Sequence, residues 1–143
     1  MKKTILTIDD QADIRRLVRM TLEYDGYTVL EASEGAEGLA LARSRRPDLI
    51  LLDVMMPGVD GLMVGKTLQA DPVLSRIPVI MLTALDRDAD IDAGLEVGVR
   101  AYLCKPFGPV ELLQMIESFI QEADGAATAP SATAPTTPHF PSR

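Results

Sequence analysis

The chain has 143 residues, a formal net charge of −7 and 47% apolar residues, which fits one domain with its own hydrophobic core. The negative charge argues against DNA, RNA or an anionic membrane surface as the main partner. The single cysteine, Cys104, excludes an internal disulfide and a cysteine metal cluster, and it favours a cytoplasmic location. No apolar run is long enough for a signal peptide or a membrane span.

Short apolar runs alternate with helical patterns through the first half of the chain. The apolar runs predict strands over residues 5–8, 27–30 and 49–52. Three helices are predicted between and after them, around residues 14–22, 33–45 and 61–70. Ser33 is a candidate N-cap of the second helix, which ends before Pro47. Each pair of strand and helix has the length of one βα unit.

Two further units follow in the second half. Strands are predicted over residues 79–82 and 101–104, and a helix opens at Asp86 or Asp88 and ends near Gly98. Another helix begins at Pro109, where four apolar residues are predicted to share its buried face: Val110, Leu113, Ile116 and Ile120. Residues 123–143 are rich in Ala, Thr and Pro, which predicts a disordered tail after a domain over residues 1–122.

The strand patterns indicate the fold class. The apolar runs are continuous rather than alternating, so each strand is expected to be buried on both faces. This predicts an α/β protein with a doubly wound, five-stranded parallel sheet and helices on both faces. The flavodoxin-like strand order 2-1-3-4-5 is the compact choice for five units, and a Rossmann-like order is the alternative.

Polar side chains follow four of the five predicted strands. Asp9 and Asp10 come after the first strand, Asp53 after the third, Thr83 after the fourth and Lys105 after the fifth. The carboxyl ends of parallel strands meet at one edge, where ligands bind in such sheets. Each residue alone has an ordinary explanation, since Asp10 is a candidate helix cap and a loop lysine is usually solvated. Their joint placement is what favours a functional site.

Three converging carboxylates require a compensating charge. Two like charges about 4 Å apart repel by roughly 4 kcal/mol at an effective dielectric constant near 20. Either some carboxyl groups stay protonated or a cation lies among them. An oxygen-only site favours Mg²⁺, with Mn²⁺ as the alternative. Asp53 would then be a nucleophile toward phosphorus, while Thr83 and Lys105 would stabilise phosphoryl oxygens.

These residues resemble the receiver domain of bacterial two-component response regulators. The resemblance covers about residues 3–122 and rests on Asp9-Asp10, the run from Asp53 to Gly61, Thr83-Ala84 and the run from Tyr102 to Phe107. The resemblance implies that Asp53 is the phosphoacceptor and that Mg²⁺ is the cofactor. It also implies four metal ligands: Asp10 and Asp53 directly, Asp9 largely through water, and the backbone carbonyl of Met55.

The resemblance also implies how the phosphoryl group would be held and sensed. Thr83 and Lys105 would contact it, and the Lys105–Pro106 peptide bond is expected to be cis. Thr83 and Tyr102 would form the switch pair, the hydroxyl moving toward the phosphoryl group while the ring turns inward.

The expected partners follow from the same resemblance. The phosphoryl donor would be a sensor histidine kinase or a histidine phosphotransfer protein. No effector domain is expected in the short tail, so the predicted output is an unknown downstream protein, with no DNA and no membrane as partner. The predicted docking face combines the helix over residues 86–98, the last strand and the last helix, around these residues: Asp86, Asp90, Arg100, Tyr102 and Glu111.

Three rival functions are less well supported. An aspartate-nucleophile phosphatase usually has a second Asp two residues after the nucleophile, where this chain has Met55, so turnover of outside substrates is not expected. A flavodoxin-like cofactor site needs a first loop rich in Ser, Thr and Gly, but here the loop is acidic. A degenerate receiver that only mediates contacts would not need all the key positions filled.

Overall fold

The structure, a computed structural model, describes residues 2–54, 61–84, 92, 94–96 and 98–124. Five strands and four complete helices lie within these ranges. In chain order they are β1 (Thr4–Ile8), α1 (Ala12–Tyr24), β2 (Thr28–Ala32), α2 (Gly35–Arg45), β3 (Leu49–Asp53), α3 (Gly61–Ala70), β4 (Val79–Ala84), β5 (Ala101–Lys105) and α4 (Pro109–Asp124). A short 3-10 helix, Leu74–Arg76, connects α3 to β4.

The strands form one parallel sheet in the order β2-β1-β3-β4-β5. In the centre of the sheet, Leu6 of β1 pairs with Leu30 on one side and Ile50 on the other. The predicted fold class and strand order are therefore confirmed, and the Rossmann-like alternative is excluded. Because all five strands point the same way, their carboxyl ends lie along one edge.

Each face of the sheet is covered by its own apolar cluster. On one face Leu6 and Ile8 of β1 pack with buried residues of α2 and α3, including Ala42 and Leu68. On the other face Ile5 packs with residues of α1 and α4. Successive residues of one strand point to opposite faces, so an unbroken apolar run is what a strand covered on both sides requires.

The buried face of α4 differs from the prediction. Leu112, Ile116 and Ile120 are buried against the sheet, whereas Val110 is 66% exposed. These three residues are spaced four apart, so they lie on one stripe of the helix, and Val110 lies off it. The predicted place of Val110 in this face is therefore wrong.

The start of α2 also differs in detail. The N-cap residue is Glu34, and it makes no side-chain capping bond. The backbone N–H and the hydroxyl of Ser33 both donate to Oε1 of Glu37, at 2.9 and 3.2 Å. Ser33 is thus tied to the first turn through Glu37 instead of capping the helix with its own side chain.

Two predicted segments are described only in part. Of the helix predicted between Asp86 and Gly98, residues 92 and 94–96 are helical, and Gly98 then turns the chain with a φ of +105°. The helix α4 continues to Asp124, which takes in the start of the predicted tail. The remaining tail, residues 125–143, lies outside the described residues.

Among the described helices, none combines the length and the apolar character that crossing a membrane requires.

One surface ion-pair network links α1 to β2. The Glu31 carboxylate accepts hydrogen bonds from Arg19 Nη1 at 2.6 Å and from Arg15 Nε at 3.1 Å. The hydrogen bond from Arg19 is the main cause that holds the pKa of Glu31 below its ordinary value of 4.5. The folded state therefore favours the charged form of this side chain.

We expect Glu31→Gln to lower the melting temperature at neutral pH. The loss of unfolding free energy should be less than about 1 kcal/mol, because the arginines are partly solvated. When a carboxyl group has a lower pKa in the folded state than in the unfolded state, its charged form stabilises the fold at pH values above the unfolded-state pKa. This stabilisation is lost as the pH falls through the folded-state pKa. Thermal melts from pH 7 down to pH 3 should thus show the two curves converge. The exposed control Glu96→Gln should follow the wild type throughout, and a gap that persists at low pH would contradict the network.

Candidate functional site

The polar residues that end the strands gather at one edge of the sheet. Asp53 and Lys105 are the last residues of β3 and β5, and Thr83 is the residue before the last of β4. Asp9 and Asp10 follow β1 directly. The site is built on four neighbouring strand ends, because β1, β3, β4 and β5 are adjacent in that order.

Three carboxylates meet at the end of β1 and β3. Asp9, Asp10 and Asp53 each place one oxygen within 4.8 Å of the others. Asp9 is fully buried and Asp53 is 3% exposed, whereas Asp10 lies at the surface. The pocket therefore has a buried acidic floor and one acidic residue at its solvent side.

Backbone contacts hold Asp9 in place. Its N–H donates to the carbonyl of Ala32 at 3.0 Å, and its own carbonyl accepts from Arg15 Nη1 at 2.6 Å. Its Oδ1 accepts the backbone N–H of Gln11 at 2.9 Å. The first helix begins at Ala12 with Gln11 as its N-cap residue, so the alternative role of Asp10 as the cap is wrong.

Lys105 brings a positive charge into the same pocket from β5. Its Nζ lies 3.1 Å from Oδ2 of Asp9 and 3.4 Å from Oδ1 of Asp53. The Nζ also donates to Oε1 of Gln11 at 2.9 Å. The Lys105–Pro106 peptide bond is cis, as expected. One ammonium thus offsets part of the charge of the three carboxylates.

Gly61, the first residue of α3, lies directly against the backbone at the end of β3, the strand that carries Asp53. A Cβ at this position would lie 2.6 Å from Cα of Val54 and would also overlap the carbonyl oxygen of Asp53. The N–H of Gly61 donates to the carbonyl of Val54 at 3.1 Å. The chain returns so closely past Asp53 that only glycine fits there.

The remaining predicted residues have different surroundings. Thr83 is 1% exposed on β4, next to Leu82, which pairs with Asp53 in the sheet. Tyr102 is half-buried against the apolar cluster that covers the α2 and α3 face. Met55 lies outside the described residues, so its predicted carbonyl ligand stays a prediction.

The predicted docking face is described at three of its five residues. Arg100 is exposed, Tyr102 is half-buried and Glu111 is exposed, where its Oε1 accepts the N–H of Gly108 at 3.3 Å. Asp86 and Asp90 lie outside the described residues. The role of this face stays a prediction.

The acidic cluster has the donor chemistry for a hard divalent cation. All three side chains offer carboxylate oxygens, which Mg²⁺ prefers, and one of them lies at the surface where a hydrated ion could enter. Among the described residues, Oδ2 of Asp9 is a buried oxygen that accepts no hydrogen bond, although the Lys105 ammonium is near. A buried carboxylate oxygen of this kind is a suitable ligand. The cluster could therefore hold a metal.

The family model for the response regulator receiver domain matches residues 5–117. The chain belongs to the receiver domains of two-component response regulators.

Curated relatives extend beyond this domain. The chain is 44% identical over 127 residues to the "Probable transcriptional regulator ycf27" of Porphyra purpurea, covering 89% of this chain and 51% of the relative. It is 36% identical over 124 residues to the "DNA-binding response regulator MtrA" of Mycolicibacterium paratuberculosis, covering 87% of this chain and 54% of that protein. The chain thus spans about half the length of the curated relatives it matches.

These relatives correct the expectation that excluded DNA as a partner. That expectation rested on the net charge of −7 and on the short tail. The two relatives, each about twice as long, are named as a probable transcriptional regulator and a DNA-binding response regulator. The charge of one domain does not determine the charge of another domain in the same protein, so an acidic receiver is compatible with DNA binding elsewhere.

A solved structure with the same fold contains a magnesium ion. The receiver domain of the sensor histidine kinase PA1611 from Pseudomonas aeruginosa PAO1 was solved with a magnesium ion coordinated in its active-site cleft. It superposes with a TM-score of 0.78 at 29% identity, covering 85% of this chain and 99% of that one.

We expect Mg²⁺ to raise the melting temperature of the wild type, because the ion binds the folded site and relieves repulsion between the carboxylates. At about ten times the dissociation constant, the gain in unfolding free energy would be about 1.4 kcal/mol. Asp10→Asn should lose most of this gain. The matched control Asp25→Asn changes the same charge at the far end of α1 and should keep it. Equal responses of the two variants at constant ionic strength would contradict the predicted site.

Proposed function

We propose that this chain accepts a phosphoryl group on Asp53, assisted by Mg²⁺ at the acidic cluster, and that the modification changes a protein-binding surface. The observation that carries the proposal is the position of the Asp53 carboxylate. It ends β3 within 4.8 Å of two other carboxylates and with Lys105 Nζ at 3.4 Å. An acceptor carboxylate needs neighbours of both kinds, carboxylates to hold a metal cation and a positively charged side chain to neutralise phosphoryl oxygens.

The reaction would be a phosphoryl transfer with an aspartate nucleophile. An oxygen of Asp53 attacks phosphorus and forms the new P–O bond. The P–N bond of a donor phosphohistidine breaks, and the imidazole leaves with its electron pair and takes up a proton. When bound, Mg²⁺ would supply charge neutralisation for the transferring oxygens.

The side chains around Asp53 would have different roles in the phosphoryl transfer. Lys105 donates hydrogen bonds to one phosphoryl oxygen, because its ammonium already points into the pocket. Thr83 would donate its hydroxyl to another oxygen from the neighbouring strand end. Asp9 and Asp10, with the Met55 carbonyl, would hold the cation beside Asp53. Tyr102, half-buried on β5, would report the movement of Thr83 to the surface.

We also propose a phosphoryl donor, an activity class and an output for the whole protein. The donor would be a sensor histidine kinase or a histidine phosphotransfer protein in the cytoplasm. The chain would not be an enzyme for outside substrates, since it would catalyse only its own phosphorylation and dephosphorylation. By likeness to MtrA and the ycf27 regulator, the output of the whole protein would be control of transcription through DNA binding outside this domain.

Incubation with acetyl phosphate tests the proposal in the simplest form. In the presence of Mg²⁺, intact-mass measurement should show one added phosphoryl group, with acetate as the leaving group. In EDTA the same incubation should leave the mass unchanged. A wild type that gains no mass in Mg²⁺, or gains equally in EDTA, would contradict the proposed metal-assisted transfer.

A further inference from the structure

The side chain of Gln11 makes a hydrogen bond that is not part of the capping of α1. Gln11 is the N-cap residue of α1, with φ −88° and ψ 109°, and its side chain makes no capping hydrogen bond. Asn, Asp, Ser and Thr are the usual residues at such a position, because their short side chains reach the helix N–H groups. The longer side chain of Gln11 instead reaches Lys105, 94 residues further along the chain.

Within the part of the chain that the structure describes, three oxygens lie near the Lys105 ammonium, and they are not equivalent. Gln11 Oε1 is the nearest at 2.9 Å, Asp9 Oδ2 follows at 3.1 Å, and Asp53 Oδ1 lies at 3.4 Å. Gln11 is neutral, whereas the other two are carboxylates. The shortest contact of the ammonium is therefore the one that does not depend on the charge of the acidic cluster.

This difference matters when a cation enters the cluster. A divalent ion among Asp9, Asp10 and Asp53 would repel the ammonium and would compete with it for the carboxylate oxygens. The amide oxygen of Gln11 would keep accepting its hydrogen bond. The hydrogen bond from Lys105 to Gln11 would thus hold the ammonium in the pocket when Asp9 and Asp53 bind the metal.

We propose that Gln11 is a positioning residue for Lys105, holding its ammonium beside Asp53 through metal loading so that it meets the incoming phosphoryl group. This inference rests on the proposed function of Asp53. The backbone of Gln11 also contacts the acidic cluster, because its N–H donates to Oδ1 of Asp9 at 2.9 Å. The residue therefore ties the end of β1 to the end of β5 on either side of Asp53.

Gln11→Met is the variant that isolates this contact. Methionine has a similar length but lacks the acceptor oxygen, and no capping bond is lost. We expect the rate of phosphorylation at saturating acetyl phosphate to fall about tenfold, which is the usual scale for one hydrogen bond to a charged group. The Mg²⁺ concentration for half-maximal rate should stay the same, which a general loss of structure would not produce.

A second readout does not depend on phosphorylation. In the Mg²⁺-loaded protein, the NMR signal of the Lys105 side-chain Cε should move in Gln11→Met toward the position of a freely rotating lysine. If the wild type takes up no phosphoryl group, the proposed function fails, and this signal still decides the inference about Gln11.

A double-mutant cycle identifies the route of the effect. In a Lys105→Met background, the further change Gln11→Met should lower the rate no more, because Gln11 acts through Lys105. An unmoved Lys105 signal in Gln11→Met would overturn the inference. An equal further loss of rate in the Lys105→Met background would also overturn it.

Discussion

Replacing Asp53 by asparagine is expected to abolish phosphoryl incorporation from acetyl phosphate in the presence of Mg²⁺. The amide has nearly the size of the carboxylate, so a residue that is 3% exposed can be exchanged without a cavity. It lacks the anionic oxygen that would attack phosphorus, and it removes one of the three carboxylates near the proposed cation. Intact-mass measurements over time should show the unmodified mass alone.

The control for this loss is Asp25→Asn. Asp25 follows α1, which returns the chain to the opposite edge of the sheet, so the same change in net charge is made far from the pocket. This variant should be modified at the rate of the wild type. If Asp53→Asn gained a phosphoryl group as the wild type does, another residue would be the acceptor.

Gly61→Ala is expected to lower the free energy of unfolding by about 3 kcal/mol, the upper end of the range for overpacking. In an open position alanine would instead favour the helix by roughly 0.5–1 kcal/mol. Here the added carbon would lie 2.6 Å from Cα of Val54 and would overlap the carbonyl of Asp53. Both obstacles are backbone atoms, so relief requires moving the strand end that carries Asp53. Urea unfolding measures the change.

Gly108→Ala serves as the matched glycine substitution. A Cβ at Gly108 would meet no heavy atom within 4 Å. Gly108 directly precedes α4, where replacing a glycine cap by alanine is expected to lower the free energy of unfolding by less than about 1 kcal/mol. The fraction of Gly61→Ala that remains folded should also be phosphorylated more slowly, because Asp53 is displaced. Equal stability of the two variants would show that the chain next to Asp53 has room for a side chain.

Much of the fold could be predicted because strands buried on both faces appear in the sequence as short, continuous apolar runs. The run Leu49–Leu52 is apolar at every position, and the structure covers it with α2 and α3 on one face and α1 and α4 on the other. Helix faces were harder to predict. Val110 and Leu112 are both apolar and two residues apart, so packing against the sheet, rather than composition, decides which one is buried.

The convergence of the site could be predicted from topology alone. Once the strands are parallel and in the order found, residues that follow β1 and β3 must meet at one edge. Distances and burial needed the folded chain. The role of Gln11 was not predicted because its partner Lys105 lies 94 residues further along the chain. The close approach of Gly61 was not predicted because it depends on how α3 begins against the end of β3. A glutamine at an N-cap position and a glycine at the start of α3 were the available signals.

The error about DNA has a different origin. DNA was excluded as a partner because of the negative charge and the short tail of these 143 residues. Relatives about twice as long are named as a probable transcriptional regulator and a DNA-binding response regulator. The net charge of this domain describes its own surface and does not determine what a domain elsewhere in a longer protein binds.

We expect the phosphoryl group to be attached to Asp53 and to no other acid of the cluster. Reduction of the phosphorylated protein with borohydride converts an aspartyl phosphate to homoserine, and tandem mass spectrometry of the peptides then identifies the residue. We predict homoserine at position 53 alone, formed only when Mg²⁺ was present during phosphorylation. Homoserine at position 9 or 10, with Asp53 unchanged, would show that Asp53 is not the acceptor.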